Sequence, residues 1–259
     1  MNMRLVALLS ALLLAGNTSA ASAGKETKHV VSSVEIKTSS ESEAVVESDD
    51  FYELKYDEQG RLIEADAAVY SQWEKYRFPD LVYATIIQGV DYYEYNDDDS
   101  IRRITRKNDE GKVRFTIDYD YDDSGILQHQ VYTNGEKVVT DTYHYDESGV
   151  LTQVDRELGD RTVAVKFDYH ENGWQKNLRY RETIASIPSN RDCVFHYDEK
   201  GNIIGITYTN VNALPSEHES AGFYFEYNES GDLYKVRFNQ GYFQTDYEIT
   251  YTYKDIEVS

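Results

Sequence analysis

Leu54-Lys55-Tyr56-Asp57-Glu58-Gln59-Gly60-Arg61-Leu62 reads as one β-hairpin. Strand side chains alternate, so Leu54 and Tyr56 share one face and Lys55 takes the other. Asp57 opens a turn by bonding its own backbone, and Gly60 supplies the left-handed conformation that closes it. Leu62 then starts the return strand on the apolar face.

The same pattern returns around Tyr121 and Gly125, Tyr145 and Gly149, Tyr197 and Gly201, and Tyr227 and Gly231. Two copies are worn. Tyr95-Asn96 has Asp99 in place of glycine, while Tyr169 is followed by His170 and has Gln175 where an apolar residue belongs. A second set of turn signals lies between these, at Asn108-Asp109-Glu110-Gly111, Thr133-Asn134-Gly135-Glu136 and Leu158-Gly159-Asp160-Arg161. Gly111, Gly135 and Gly159 are 24 apart, as are Gly125, Gly149 and Gly173. Two interleaved sets with one period place the turns alternately at the two ends of a sheet, with sequential hairpins side by side. The expected fold is therefore all-β: an antiparallel hairpin-repeat sheet of about fifteen strands, each roughly six to ten residues long. A sheet of that many strands is expected to curl or close into a barrel-like form.

Other segments depart from the rhythm. Residues 1–23 have the parts of an export signal: Arg4, an apolar stretch from Leu5 to Ala15, and Ala21-Ser22-Ala23 before the cleavage point. That stretch is too short to span a bilayer as a helix. Residues 24–50, rich in Ser, Glu and Lys, read as a flexible acidic N-terminal segment, with Val30 to Ile36 a stray strand. The repeat domain then runs over 51–259, with a short helical insertion at about 66–78, where Val69, Trp73 and Tyr76 fall at helical spacing behind Asp66 and before Pro79. Thr183 to Asp192 and Asn210 to Gly222 read as longer loops, the places where function can vary without disturbing the sheet.

Tyr-Asp-x-x-Gly-x-Leu resembles the signature of the Rhs and tyrosine-aspartate (YD) repeat proteins over residues 51–253. That resemblance implies a long wound β-sheet used as a shell or spacer. A looser similarity links the chain to small secreted bacterial proteins with such repeats, some with porin-like sheets, and implies no activity.

The chain carries a formal charge of −21, and removing the signal takes away one more basic residue. Such a charge repels phosphate backbones, so nucleic acid is not an expected partner. Asp118, Asp120, Asp122 and Asp123 supply hard oxygens and are the candidate calcium ligands, although no glycine follows at the sixth position and His129 stands where a bidentate Glu belongs. They also alternate with Ile117, Tyr119 and Tyr121, as a solvated strand face would. His144 and His196 precede repeat tyrosines at a position that elsewhere holds Lys, Glu or Asp, which places them on an exposed face. Cys193, the single cysteine, falls three residues before His196, so the two face opposite ways and make a poor catalytic dyad. No catalytic motif is present, and no catalytic or cofactor-binding residue is named. The 24 tyrosines at fixed repeat positions read as a core of cross-strand aromatic pairs, with an uncovered sugar- or protein-binding row as the alternative.

The sequence thus points to a secreted or periplasmic, non-enzymatic structural or binding module with a protein or glycan partner. An outer-membrane β-barrel is the first alternative, opposed by return strands such as Leu151-Thr152-Gln153-Val154-Asp155-Arg156 that carry charge on either parity. A carboxylate-based enzyme is the second.

Overall fold

A computed structural model describes residues 26–40, 48–66, 89–135, 137–159, 161–184, 187–210, 221–239 and 245–258. The export signal, all of the helical reading beyond Asp66, and residues 211–220 lie outside them. The strands are β1 (Glu26–Ser40), β2 (Ser48–Glu53), β3 (Lys55–Tyr56), β4 (Leu62–Asp66), β5 (Val90–Tyr95), β6 (Ile101–Lys107), β7 (Val113–Tyr121), β8 (Leu127–Asn134) and β9 (Lys137–Tyr145). They continue as β10 (Leu151–Leu158), β11 (Arg161–Tyr169), β12 (Gln175–Ile184), β13 (Ile187–Tyr197), β14 (Ile203–Asn210), β15 (Ala221–Tyr227), β16 (Leu233–Asn239) and β17 (Thr245–Val258).

All belong to one 17-stranded sheet in which chain neighbours pair, and β1 pairs with both β2 and β17. The order of pairing is therefore cyclic. Two compact units divide the chain: Met1–Glu35, Asp50–Val138 and Tyr251–Ser259 form one, and Ile36–Asp49 with Val139–Thr250 form the other.

Within the first unit, β1 does the joining. Leu54 N–H donates to the Ser32 carbonyl at 3.1 Å, and the Ser32 hydroxyl donates to the Thr252 carbonyl at 3.0 Å. His29 stacks on Tyr253 with ring centroids 5.2 Å apart and meets Asp255 through Nδ1 at 2.6 Å. Val30, Val31 and Val34 are buried. Residues 26–40 are thus a full strand of the sheet, longer than the stray strand read at Val30 to Ile36. Gly60, at φ +73°, lies so close beneath this seam that a Cβ there would stand 2.7 Å from Lys28 and 2.9 Å from Val258.

The repeat turns follow the sequence closely. At Asp57, Asp122, Asp146 and Asp198 the N–H of the residue four on is accepted by the aspartate Oδ1, as at Val150 to Asp146 at 2.9 Å. Five of the repeat tyrosines also reach across to the neighbouring hairpin. The hydroxyls of Tyr95, Tyr121, Tyr169, Tyr197 and Tyr227 donate to the carbonyls of Leu62, Ile101, Leu151, Gln175 and Ile203, the residues that begin the preceding return strands. The tyrosine therefore does two things, filling the apolar face with its ring and tying one repeat to the next with a bond of about 1 kcal/mol.

Thr183 to Asp192 is not a long loop. β12 and β13 continue through it in register, with Thr183 opposite Pro188 and Ile184 opposite Ile187. Asp66 likewise ends a strand, opposite Val90.

In six hairpins the residue four before the repeat tyrosine stands opposite the residue eleven after it. In most hairpins this pair is apolar or aromatic: Ile117 with Tyr132, Val165 with Tyr180, Cys193 with Tyr208, and Phe223 with Phe238. In two hairpins it is an ion pair, Asp91 with Arg106 and Asp141 with Arg156. Both are bidentate, the second through Nε at 2.7 Å and Nη2 at 2.6 Å. The side chains of Arg156 and Asp141 keep only 2% and 4% of their surface exposed.

Candidate functional site

The acidic cluster does not converge. Asp118 accepts from Arg103 Nε at 2.5 Å across the neighbouring strand. Asp122 caps its own turn through the N–H groups of Ser124 and Ile126 and accepts from Gln128. Asp120 stands opposite His129, and Asp123 is exposed in the turn. Among the described residues no three His, Cys, Asp or Glu side chains come together as a metal ion needs. Asp118 and Asp120, the candidate calcium ligands on one face of β7, stand opposite Val131 and His129, while Asp122 caps the following turn and Asp123 is exposed within it.

The histidines are spread too. His144 pairs with Asp155 at 2.8 Å on the exposed face, and His196 meets the Thr207 hydroxyl at 3.0 Å. Cys193 is buried while His196 is exposed, as their three-residue spacing requires.

What does come together is a groove of about 930 Å³ in the second unit, at the turn between β11 and β12 and the adjacent turn end of the β13–β14 hairpin. Trp174 and Tyr197 form its aromatic part, with ring centroids 5.1 Å apart and planes inclined by 33°. His170, His196, Glu171 and Lys176 stand around them, and Ile204 adds an exposed apolar edge.

The groove sits on the repeat that departs furthest from the pattern. His170 replaces the capping Asp or Asn, yet its backbone still makes the turn, accepting from Gly173 and donating to Trp174. The side-chain cap has moved to Asn172, whose Oδ1 accepts the Trp174 N–H at 3.1 Å. The imidazole of His170 is thereby released from the turn and lines the groove. Trp174 lies against the next repeat turn, where a Cβ on Gly201 would stand 2.8 Å from the indole. A side chain at position 201 would lift the ring. Beneath, Gln175 is 5% exposed, and its Nε2 has no hydrogen-bond partner among the described residues. A buried amide left unpaired costs about 1–3 kcal/mol. Three departures from the stable pattern in one repeat mark it as shaped by something besides stability.

Sequence reading noted His170 and Gln175 as wear and passed over Trp174. The signal available was their coincidence: the turn that loses its cap is the one with a tryptophan after glycine.

The repeat tyrosines lining such turns resist ionisation. Burial pushes the Tyr197 and Tyr227 hydroxyls up to about 12. In the Asp146 turn, the Ser148 hydroxyl and then the Val150 N–H hold the carboxyl below its ordinary range.

No protein-family model matches the chain, and neither does any curated protein. Among solved structures it is similar to a porin-like protein from Bacteroides uniformis, with a TM-score of 0.50 at 14% identity over 86% of this chain and 98% of that one. That likeness is one of fold, and it agrees with a large antiparallel sheet whose strand order closes.

Proposed function

We propose that this chain is an exported cell-envelope protein that works as a non-enzymatic binding scaffold, with the charged face of its sheet in water. One observation carries the reading, the division of the two faces. Leu62, Val154, Leu178 and Ile249 have 0% of their surface exposed, so protein covers the apolar face already. The opposite face carries ions in cross-strand pairs: Arg103 with Asp118, Arg179 with Asp168, Arg181 with Asp192, and Arg237 with Glu226. A lipid-facing strand surface is apolar, and Arg or Lys near the bilayer midplane costs about 2–4 kcal/mol each. Water is the solvent that suits this exposed face.

The cyclic strand order and the likeness to a porin-like protein favour a second reading, an outer-membrane β-barrel. It requires an exposed apolar band, whereas the exposed large apolar side chains include Val113, Val138, Val194 and Tyr234, interspersed with charge. Fractionation of cells expressing the full-length chain decides between the two. Processed protein in the periplasmic or extracellular fraction supports the scaffold; protein released from the outer membrane only by detergent, with a heat-dependent shift on a gel, supports the barrel.

A further inference from the structure

We infer that the groove beside Trp174 is a binding site for an uncharged saccharide chain. The inference deepens the scaffold reading and rests on it, by naming the ligand class that one surface of the second unit would hold.

The chemistry of the lining selects this class. Trp174 and Tyr197 form a joined aromatic surface, on which the C–H face of a pyranose ring packs. Around them stand groups that bond hydroxyls in either direction: two imidazoles at His170 and His196, the Glu171 carboxylate and the Lys176 ammonium. A sugar ring offers both kinds of surface at once, apolar on its faces and hydroxylated at its edges. Formal charge narrows the choice further. The lining carries one acid and one base in a chain whose total is −21. Anionic ligands are repelled by the molecule as a whole, and a site for cations would be lined by the carboxylates that are plentiful elsewhere. The groove's volume of about 930 Å³ is that of a small-molecule site.

The geometry also accounts for the worn repeat. An aspartate at position 170 would cap the turn as it does at Asp146 and Asp198. It would also remove an imidazole from the groove and add a second negative charge beside Glu171. Gly201 serves the same end, because only the absence of a Cβ lets the indole lie down on the neighbouring turn.

The test uses the purified mature chain and a panel of neutral hexaoses (malto-, cello-, xylo-, manno- and fully N-acetylated chito-), read by calorimetry and tryptophan fluorescence. Polygalacturonate and chitosan serve as the anionic and cationic probes. At least one neutral sugar is expected to bind with a Kd at or below about 1 mM, and Trp174→Ala to weaken that binding at least tenfold. Should that variant fail to fold, His170→Asp keeps the question open to refutation. It restores the cap and is expected to raise the Tm by roughly 2–4 °C while weakening the sugar severalfold. Silence across the neutral panel, binding of the charged polymers alone, or unchanged affinity in either folded variant would overturn the inference. A soluble protein that ignores sugars refutes this site and leaves the scaffold standing; a detergent-dependent protein that binds them does the reverse.

Discussion

Replacing Arg156 by tyrosine removes the charge that balances Asp141 and leaves a carboxylate with 4% of its side-chain surface exposed. Breaking a buried ion pair from one side costs about 3–5 kcal/mol, because the remaining charge keeps its desolvation penalty and loses its partner. For a chain of this size each kcal/mol moves the midpoint by about 2–4 °C, so the Tm should fall by roughly 6–20 °C. Asp141→Val alone should cost about as much, by removing the carboxylate that holds the guanidinium through two hydrogen bonds. The double variant Asp141→Val with Arg156→Tyr behaves differently, since it copies the arrangement at Val165 and Tyr180 in the next hairpin. An apolar pair of that kind should return the protein to within about 1 kcal/mol of its original stability, or exceed it. Urea unfolding of the four proteins, followed by far-UV circular dichroism, gives the coupling energy directly. Single variants that each cost under about 1 kcal/mol, or a double variant as unstable as the two losses added, would refute the claim that the charge pair stands in for an aromatic one.

Other consequences are smaller. Tyr169→Phe strands the Leu151 carbonyl and should cost about 0.5–1.5 kcal/mol in urea unfolding with no change in fold; no loss would remove the tyrosine's role in tying hairpins together. Alanine at Gly149, φ +81° with nothing within 4 Å of the new Cβ, should cost about 1–2 kcal/mol from the backbone alone. Gly201→Ala should cost more and alter Trp174 fluorescence, and equal losses at the two sites would mean that the indole does not rest on that turn. Alkali should unfold the protein between about pH 10 and 12: Tyr197 and Tyr227, raised by burial to about 12, resist ionisation only when folded, so the stability they carry is complete below pH 10 and is lost as the pH climbs. Tyrosinate absorbance from these residues should then rise together with the loss of circular dichroism, and free ionisation near pH 10 in a folded protein would contradict their burial.

The hairpins were legible because the information is local. Asp146, Gly149 and the apolar residues beside them fix a turn within a few positions, and the pattern reports the same geometry each time. What was missed is non-local. β1 is readable only as a short strand at Val30 to Ile36, and its partners lie elsewhere, at Leu54 and at Thr252 and Asp255, the last two more than two hundred residues away. Pro188 reads as a breaker, yet it lies in a strand opposite Thr183, and the extended hairpin was taken for a loop. The Asp–Arg pairs are visible once the repeats are aligned on their tyrosines, since Asp91 and Asp141 occupy one position and Arg106 and Arg156 another. The groove needed the structure, because Trp174 and Tyr197 belong to different hairpins and meet only through pairing of β12 with β13.

Liposome flotation of the purified mature chain, refolded without detergent and checked for β-sheet by circular dichroism, tests the central claim about the two faces most directly. A folded, monodisperse protein that stays at the bottom of the gradient is the outcome expected of an exposed face built from ion pairs. Protein that floats with the vesicles and resists carbonate extraction would contradict it and place the charged face along a water-filled pore.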